Sequence, residues 1–158
     1  MNKTVRGALA SGGGFLAGYF LPTIAFMVVY FASPRTGARA NDPVLEQTLM
    51  LLYLAGVYAL AGCIAYVAIT AASRNWRERA PMRIAPISAL MGVAAQLLNW
   101  TGLSLIAALP VMRVFPGRIG NIAGVAMPGI LAGVVVLIWA VARKPRVPSG
   151  IAGPDGPA

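Results

Sequence analysis

Two side-chain amides, those of Gln96 and Asn99, lie deep inside an apolar run that extends from Pro86 to Pro110. An amide in such a run can bind the polar part of a solute, a lipid headgroup or a quinone, or it can hydrogen-bond to a neighbouring helix. On a helix of 3.6 residues per turn, small and polar residues share a face with these amides. The predicted seam consists of Ser88, Gly92, Gln96, Asn99 and Gly102, with Asn121 in the next run. Small residues let two backbones approach, so we favour helix packing over ligand binding.

Hydroxyl-bearing side chains in the first two apolar runs form a second group of candidates. The candidate solute-lining residues are Tyr19, Thr23, Tyr30, Tyr58 and Tyr66. Together with Gln96, Asn99 and Asn121 they would line a path for a neutral solute. The favoured alternative is packing between helices, with the hydroxyls near the ends of the spans. Cys63 has no His, carboxylate or second Cys near it in the sequence, so nucleophilic catalysis is not expected.

Basic residues are concentrated in the loop after the second apolar run and just after the fourth. They are Arg74, Arg77, Arg79, Arg83, Arg143, Lys144 and Arg146. With Trp76 among the arginines, this loop could bind a phosphate or an acidic partner surface. We favour contact with anionic lipid headgroups, because Lys and Arg at the ends of apolar runs orient helices and meet such headgroups.

The interiors of the apolar runs contain no Asp, Glu, Lys, Arg or His, and the whole chain has four acidic residues and no histidine. Proton-coupled antiport normally needs an intramembrane carboxylate or histidine relay. A Cys-cluster metal site and haem ligation by His are excluded, because the chain has one Cys and no His. Ligation by one of the seven Met residues stays open, but nothing in the sequence positions one against a partner. We therefore expect no metal, no cofactor and no enzymatic activity, and a lipid-modifying enzyme is the least favoured function.

The composition belongs to the membrane class. The 158 residues are 58% hydrophobic and 11% charged, whereas a soluble domain is about 45–50% apolar and about 25% charged. The predicted fold is all-α, an integral membrane four-helix transmembrane bundle. Its helices are expected at about residues 12–32, 43–72, 86–110 and 119–142, followed by a basic and then Pro/Gly-rich tail over 143–158.

Charge distribution predicts the orientation. Nine of the 13 Lys and Arg residues lie in the N-terminal head, the second loop and the tail, and four lie in the other two loops. The positive-inside rule then places both termini in the cytoplasm. The Ala-, Gly- and Arg-rich composition suits a GC-rich bacterial genome, and the expected location is the bacterial cytoplasmic membrane. Because the basic residues lie at the ends of spans, the net charge of +9 does not predict nucleic-acid binding.

These observations predict a non-catalytic integral membrane subunit that packs against itself or a larger membrane assembly and binds lipid at the interface. The reason is that polar and glycine seams are present on more helix faces than four short helices need to pack against one another, while reactive groups are missing. The alternative function is a small oligomeric channel or transporter for a neutral or amphipathic solute. The expected partners are membrane lipids, including anionic headgroups, and other membrane subunits or further copies of the chain.

Overall fold

The structure, a computed structural model, describes residues 2–32 and 43–143. Within these residues the chain forms the helices α1 Lys3–Ala32, α2 Pro43–Ala71, α3 Arg74–Arg77, α4 Pro81–Trp100, α5 Leu103–Val114 and α6 Arg118–Ala142. The expected all-α fold is confirmed. The predictions for Lys144, Arg146 and the side chain of Tyr30 lie outside the described residues.

In the described part of the chain, four helices, α1, α2, α4 and α6, are long and apolar enough to cross a membrane. Their spans contain 20 to 27 residues, and about 20 are enough for a bilayer. Large apolar side chains such as Leu21, Leu60, Leu90 and Ile138 point away from the rest of the chain. Lipid tails are a suitable environment for these faces, which would be an aggregation hazard in water.

The tightest helix pair is α1 with α4. Gly14 faces Ser88 and Gly92 faces Tyr19, so the two helices run in the same direction. A Cβ atom on Gly18 would meet the backbone carbonyl oxygen of Ala89 on α4. The absence of a side chain at such positions lets the two backbones approach, as small residues do in membrane helix pairs.

A second parallel pair is formed by α2 and α6. Gly62 and Gly129 meet backbone to backbone, and one turn further on Gly133 contacts the side chain of Ile69. At the end of this pair, Asn75 donates a hydrogen bond from Nδ2 to the carbonyl oxygen of Ala140 at 3.0 Å. The glycines of α6 are therefore used within the chain.

Aromatic side chains join the two pairs in the core. The rings of Phe15 on α1 and Tyr66 on α2 stack with their centroids 4.7 Å apart. The Tyr66 hydroxyl and the Ser88 hydroxyl are hydrogen-bonded at 3.0 Å, which links α2 to α4. Cys63 is buried beside them, and its Sγ donates to the carbonyl oxygen of Gly12 at 3.6 Å. The antiparallel packing of α2 against α1 and α4 rests on these contacts.

The prediction of one continuous helix over residues 86–110 is wrong. The helix α4 ends at Trp100, and Gly102 adopts a left-handed φ of 75° before α5 begins. Polar side chains replace helical hydrogen bonds at the break. Thr101 Oγ1 donates to the carbonyl oxygen of Leu98 at 2.9 Å, and Ser104 Oγ donates to Asn99 Oδ1 at 3.2 Å. Such local bonds are the means by which Ser, Thr and Asn compete with helical backbone pairing.

The other helix boundaries differ less from the prediction. The helix α1 begins at Lys3, nine positions before the expected start, and α4 begins at Pro81. The bounds of α2 and α6 agree with the prediction to within one residue. The short helix α3 was not predicted, and its first turn is capped by Ser73, whose Oγ accepts from the Trp76 backbone N–H at 3.3 Å.

The helix α5 is an extra element without a predicted counterpart. Its 12 residues extend about 18 Å at 1.5 Å per residue, which is too short to cross a bilayer. It packs along the first turns of α6, where Gly124 faces Met112 and Ala108. The break at Gly102 thus turns the chain so that α5 closes one side of the bundle.

Candidate functional site

A cavity of about 580 Å³ lies where α1, α2, α4, α5 and α6 meet. Volumes of about 300–1,000 Å³ are typical of small-molecule sites. Gln96, a lining residue, is 15 positions along α4 from Pro81, or roughly 22 Å from the end of the bundle that carries α3. The cavity therefore occupies the half of the bundle opposite α3.

One wall of the cavity is polar and buried. Its polar lining residues are Thr23, Thr48, Tyr58, Gln96, Asn99 and Ser104. Of these, Gln96 is 1% exposed and Ser104 is 3% exposed. None of the described residues that line the cavity carries a formal charge. This wall offers hydroxyl and amide groups to a neutral ligand.

The mouth of the cavity is apolar. The exposed lining residues there are Phe26, Leu51, Leu54, Trp100 and Leu105. The rings of Phe26 and Trp100 pack edge to face, with centroids 6.3 Å apart. In a membrane, a mouth made of exposed apolar side chains opens towards lipid tails.

Gln96 is the most informative side chain in the cavity. Its Nε2 donates a hydrogen bond to Thr23 Oγ1 at 2.8 Å, which ties α4 to α1. Its carbonyl oxygen Oε1 is buried and has no hydrogen-bond partner among the described residues. An unpaired buried acceptor costs about 1–3 kcal/mol, so this oxygen favours a ligand that carries a donor.

The break between α4 and α5 shapes the cavity. Gly102 and Ser104 both line it, and Asn99 also faces it from the last turn of α4. Because Ser104 donates to the Asn99 side-chain oxygen, the last turn of α4 and the first turn of α5 are held together. A helix broken in this way can line a binding site, as discontinuous helices do in transporters.

The seam residues predicted from the sequence separate into groups. Ser88 and Gly92 are buried between α4 and α1. Gln96, Asn99 and Gly102 line the cavity. Asn121 is exposed on α6 and does not line the cavity.

The predicted solute-lining residues also separate. Thr23 and Tyr58 line the cavity, whereas Tyr19 and Tyr66 are fully buried in the aromatic core. The sequence analysis missed Thr48 and Ser104. Thr48 is the first hydroxyl in the uncharged stretch of α2, and Ser104 follows a glycine within the third apolar run. A polar residue after glycine could have been recognised as a signal for a helix break.

The described arginines that were predicted to contact anionic lipid lie at the end of the bundle opposite the cavity. The Arg79 guanidinium is 4.2 Å from the Trp139 ring centroid and 6.0 Å from that of Trp76. Arg143 lies over the Trp139 ring at 4.6 Å. Burial and the neighbouring cations Arg143 and Arg83 lower the pKa of Arg79 below its usual value. The guanidinium is therefore held in place by the two rings within a positive field.

Arg74 and Glu78 form an exposed ion pair at this end, with Nε and Oε1 2.7 Å apart. The hydrogen bond and the charge of Glu78 raise the pKa of Arg74. Arg77 and Arg83 are exposed. Arg74, Arg77 and Arg79 line a second groove, whereas Arg83 and Arg143 lie outside it.

Comparison with known proteins gives no relative from which to transfer a role: no protein-family model, curated protein or solved structure matches this chain. Within residues 2–32 and 43–143, no three His, Cys, Asp or Glu side chains come together as a metal-binding group. The cavity and the basic end of the bundle are therefore the features that can indicate a function.

Proposed function

We propose that the protein is a small channel or transporter of the membrane that binds a neutral amphipathic molecule in the 580 Å³ cavity. The observation that carries the proposal is the uncharged lining of the cavity, in which Gln96, Asn99 and Ser104 place amide and hydroxyl groups inside an apolar bundle. The carbonyl oxygen of Gln96 is enclosed by the chain and has no partner in its described part. After a small shift of the lining, a ligand hydroxyl or amide N–H would supply the missing hydrogen bond.

The lining indicates the chemistry of the ligand. A charged headgroup would lose its hydration on entering the cavity, and no opposite charge among the described lining residues would compensate for it. The free-energy cost of this desolvation is high. A neutral head with at least one donor fits the wall formed by Gln96, Thr23 and Ser104. An apolar tail fits the mouth, where Trp100 and Leu105 are exposed towards the lipid.

The broken helix supports transport over static binding. Gly102 lines the cavity with a left-handed backbone, and only 12 residues of helix follow before the next connection. Breaking the hydrogen bond between Ser104 and Asn99 would free α5 to move against α4, with the change in backbone angles concentrated at Gly102. A ligand that enters from the lipid through the apolar mouth would meet the polar wall when α5 closes.

The subunit function favoured by the sequence stays a prediction. It was based on glycine and polar seams that exceed the needs of four helices. In the structure, Gly18 and Gly92 join α1 to α4, and Gly62 and Gly129 join α2 to α6. Because these seams are used within one chain, they no longer require a partner protein.

The test is purification of the full chain in lipid nanodiscs, followed by mass spectrometry of the bound small molecules. We expect a neutral amphipathic compound in stoichiometric amount with the unaltered chain and its loss from Gln96→Leu. Asn121→Leu is the matched control, because Asn121 carries the same amide group but is exposed on α6 and does not line the cavity. It should retain the compound.

Two results would argue against the proposal. Equal small-molecule content in Gln96→Leu and in the unaltered chain would show that the amide does not bind the ligand. Stoichiometric co-purification of a larger membrane protein, with no bound compound, would favour the subunit function instead.

A further inference from the structure

A groove of about 670 Å³ lies at the end of the bundle that carries α3, far from the neutral cavity. It is formed by the first turns of α1 and by the segment from α3 to the start of α4. The charged lining residues are Lys3, Arg6, Arg74, Arg77, Glu78 and Arg79. The charge distribution predicted Lys3 and Arg6 on the same side of the membrane as the arginines of the second loop. It did not predict a shared groove, because more than 65 positions separate them in the chain.

The groove is strongly positive. Arg74 is paired with Glu78, but Lys3, Arg6 and Arg77 have no carboxylate partner among the described residues. Arg79 is also unpaired there, and its guanidinium is held against the ring of Trp139. Four cations without counter-charges converge on one concave surface, which favours a ligand with several negative charges.

Two helix N-termini add to this field. The helix α1 begins at Lys3 and α4 begins at Pro81, and both residues line the groove. Neither helix has an acidic residue in its first turn, and Ala80 provides no side-chain cap to α4. At α1, Asn2 Oδ1 accepts a hydrogen bond from the Thr4 backbone N–H at 3.3 Å. At α4 the first residue is a proline without an N–H group, and the Arg83 N–H donates to the carbonyl oxygen of Ala80 at 2.9 Å. The two helix ends therefore add the positive ends of their dipoles to the groove.

A buried donor next to the groove is an independent sign of a missing acceptor. Trp76 is 3% exposed, and its indole Nε1 has no hydrogen-bond partner among the described residues. It lines a small pocket of about 40 Å³ whose walls include Lys3, Thr4 and Arg77, which also line the groove. A phosphate oxygen, or a water molecule bound to one, would satisfy this N–H group.

We propose that this groove binds the headgroup of an anionic lipid that carries two or more phosphates. Four unpaired cations and two helix N-termini match several phosphate charges better than one. The lipid is favoured over a soluble anion because the groove lies at the ends of membrane-type helices. There Trp76 and Trp139 occupy the place that aromatic residues take at a membrane interface. The proposal is independent of the neutral cavity.

The experiment titrates the full chain in neutral detergent micelles with cardiolipin, which has two phosphates, and with phosphatidylglycerol, which has one. Native mass spectrometry at constant ionic strength counts the bound lipid. We expect cardiolipin to bind more tightly than phosphatidylglycerol. The double variant Lys3→Gln with Arg77→Gln should weaken the binding of cardiolipin roughly 25-fold, because each basic residue contributes about fivefold to the affinity. Both residues are exposed, so folding should be unaffected, and a thermal melt without lipid checks this.

The matched control is Arg83→Gln with Arg143→Gln, which removes the same charge at the same end but outside the groove. This pair should change the affinity by less than about threefold. An equal loss of cardiolipin affinity in the two double variants would mean that the lipid is attracted to the charged surface as a whole. This result would overturn the proposal. Inorganic diphosphate that binds as tightly as cardiolipin would overturn the choice of a lipid.

Discussion

Gln96 on α4 donates a 2.8 Å hydrogen bond to Thr23 on α1, and the two residues are 73 positions apart in the chain. The bond uses one end of the amide and leaves the carbonyl oxygen of the other end without a partner in the described structure. The two ends of the amide therefore differ. The Nε2 group joins the helix pair, whereas the Oε1 atom is enclosed by the chain and unpaired among the described residues, so a ligand in the cavity reaches it only if the lining shifts.

The first prediction concerns the structural role. Thr23→Val removes the acceptor with little change of volume. We expect it to lower the free energy of unfolding by about 0.6 kcal/mol, the mean measured for hydrogen bonds between membrane helices, and by no more than about 1.7 kcal/mol, the measured maximum. Unfolding in mixed micelles by increasing denaturing detergent measures this value. Thr70→Val is the control and should change little, because Thr70 is also buried but its hydroxyl bonds within α2. An unchanged stability of Thr23→Val would exclude the interhelical bond as a stabilising contact.

The four apolar helices were predictable because about 20 consecutive apolar residues have few alternatives to a membrane helix. The break at Gly102 was not predicted, because the short polar stretch over residues 99–102 lies between strongly apolar segments and was interpreted as part of one span. The signals were local: Thr101 before the glycine and Ser104 after it can satisfy a broken helix. These weak turn signals were outweighed by the length of the apolar run.

The candidate site was predictable only in part. Gln96 was singled out as a rare polar group in an apolar run, and it lines the cavity with Thr23. Tyr19 and Tyr66 were equally prominent in sequence, yet they pack in the core. Which face of a helix meets which neighbour depends on close approaches such as that of Gly18 to Ala89, and a GxxxG spacing alone does not identify the partner helix.

The second prediction tests that close approach. A Cβ atom at Gly18 would meet the backbone of Ala89, which cannot move aside as a side chain can. We expect Gly18→Ala to reduce the free energy of unfolding by about 1–3 kcal/mol, as overpacking does. Gly13→Ala lies on the same helix with nothing within 4 Å of its Cβ, so it should be neutral or stabilising. Equal stability of the two variants would contradict the packing of α1 against α4.

The third prediction concerns orientation, which the charge distribution places with α3 in the cytoplasm. Arg83→Cys and Arg113→Cys each introduce an exposed thiol, one near α3 and one at the end of α5. In intact cells a membrane-impermeant maleimide should label Arg113→Cys at once and Arg83→Cys only after permeabilisation. The buried native Cys63 should give little background. The reverse labelling pattern would invert the predicted topology.

The fourth prediction concerns the helix break. At a φ of 75° a side chain is strained whatever the space, and nothing lies within 4 Å of a Cβ built on Gly102. Any effect of Gly102→Ala is therefore a backbone effect, expected to cost about 1–2 kcal/mol. Gly56→Ala, at a helical position of α2 with equally open surroundings, should instead stabilise by up to about 1 kcal/mol.

The Gly102→Asn variant distinguishes an effect of backbone strain from an effect of losing the cavity. Asn tolerates the left-handed conformation better than Ala, so Gly102→Asn should regain much of the stability lost in Gly102→Ala. If the break positions Asn99 and Ser104 for the ligand, retention of the bound compound should follow the same order: the native glycine first, then Asn, then Ala. Unfolding curves and mass spectrometry of the same preparations measure both quantities. If ligand retention does not follow this order, ligand binding in the cavity does not depend on the left-handed turn.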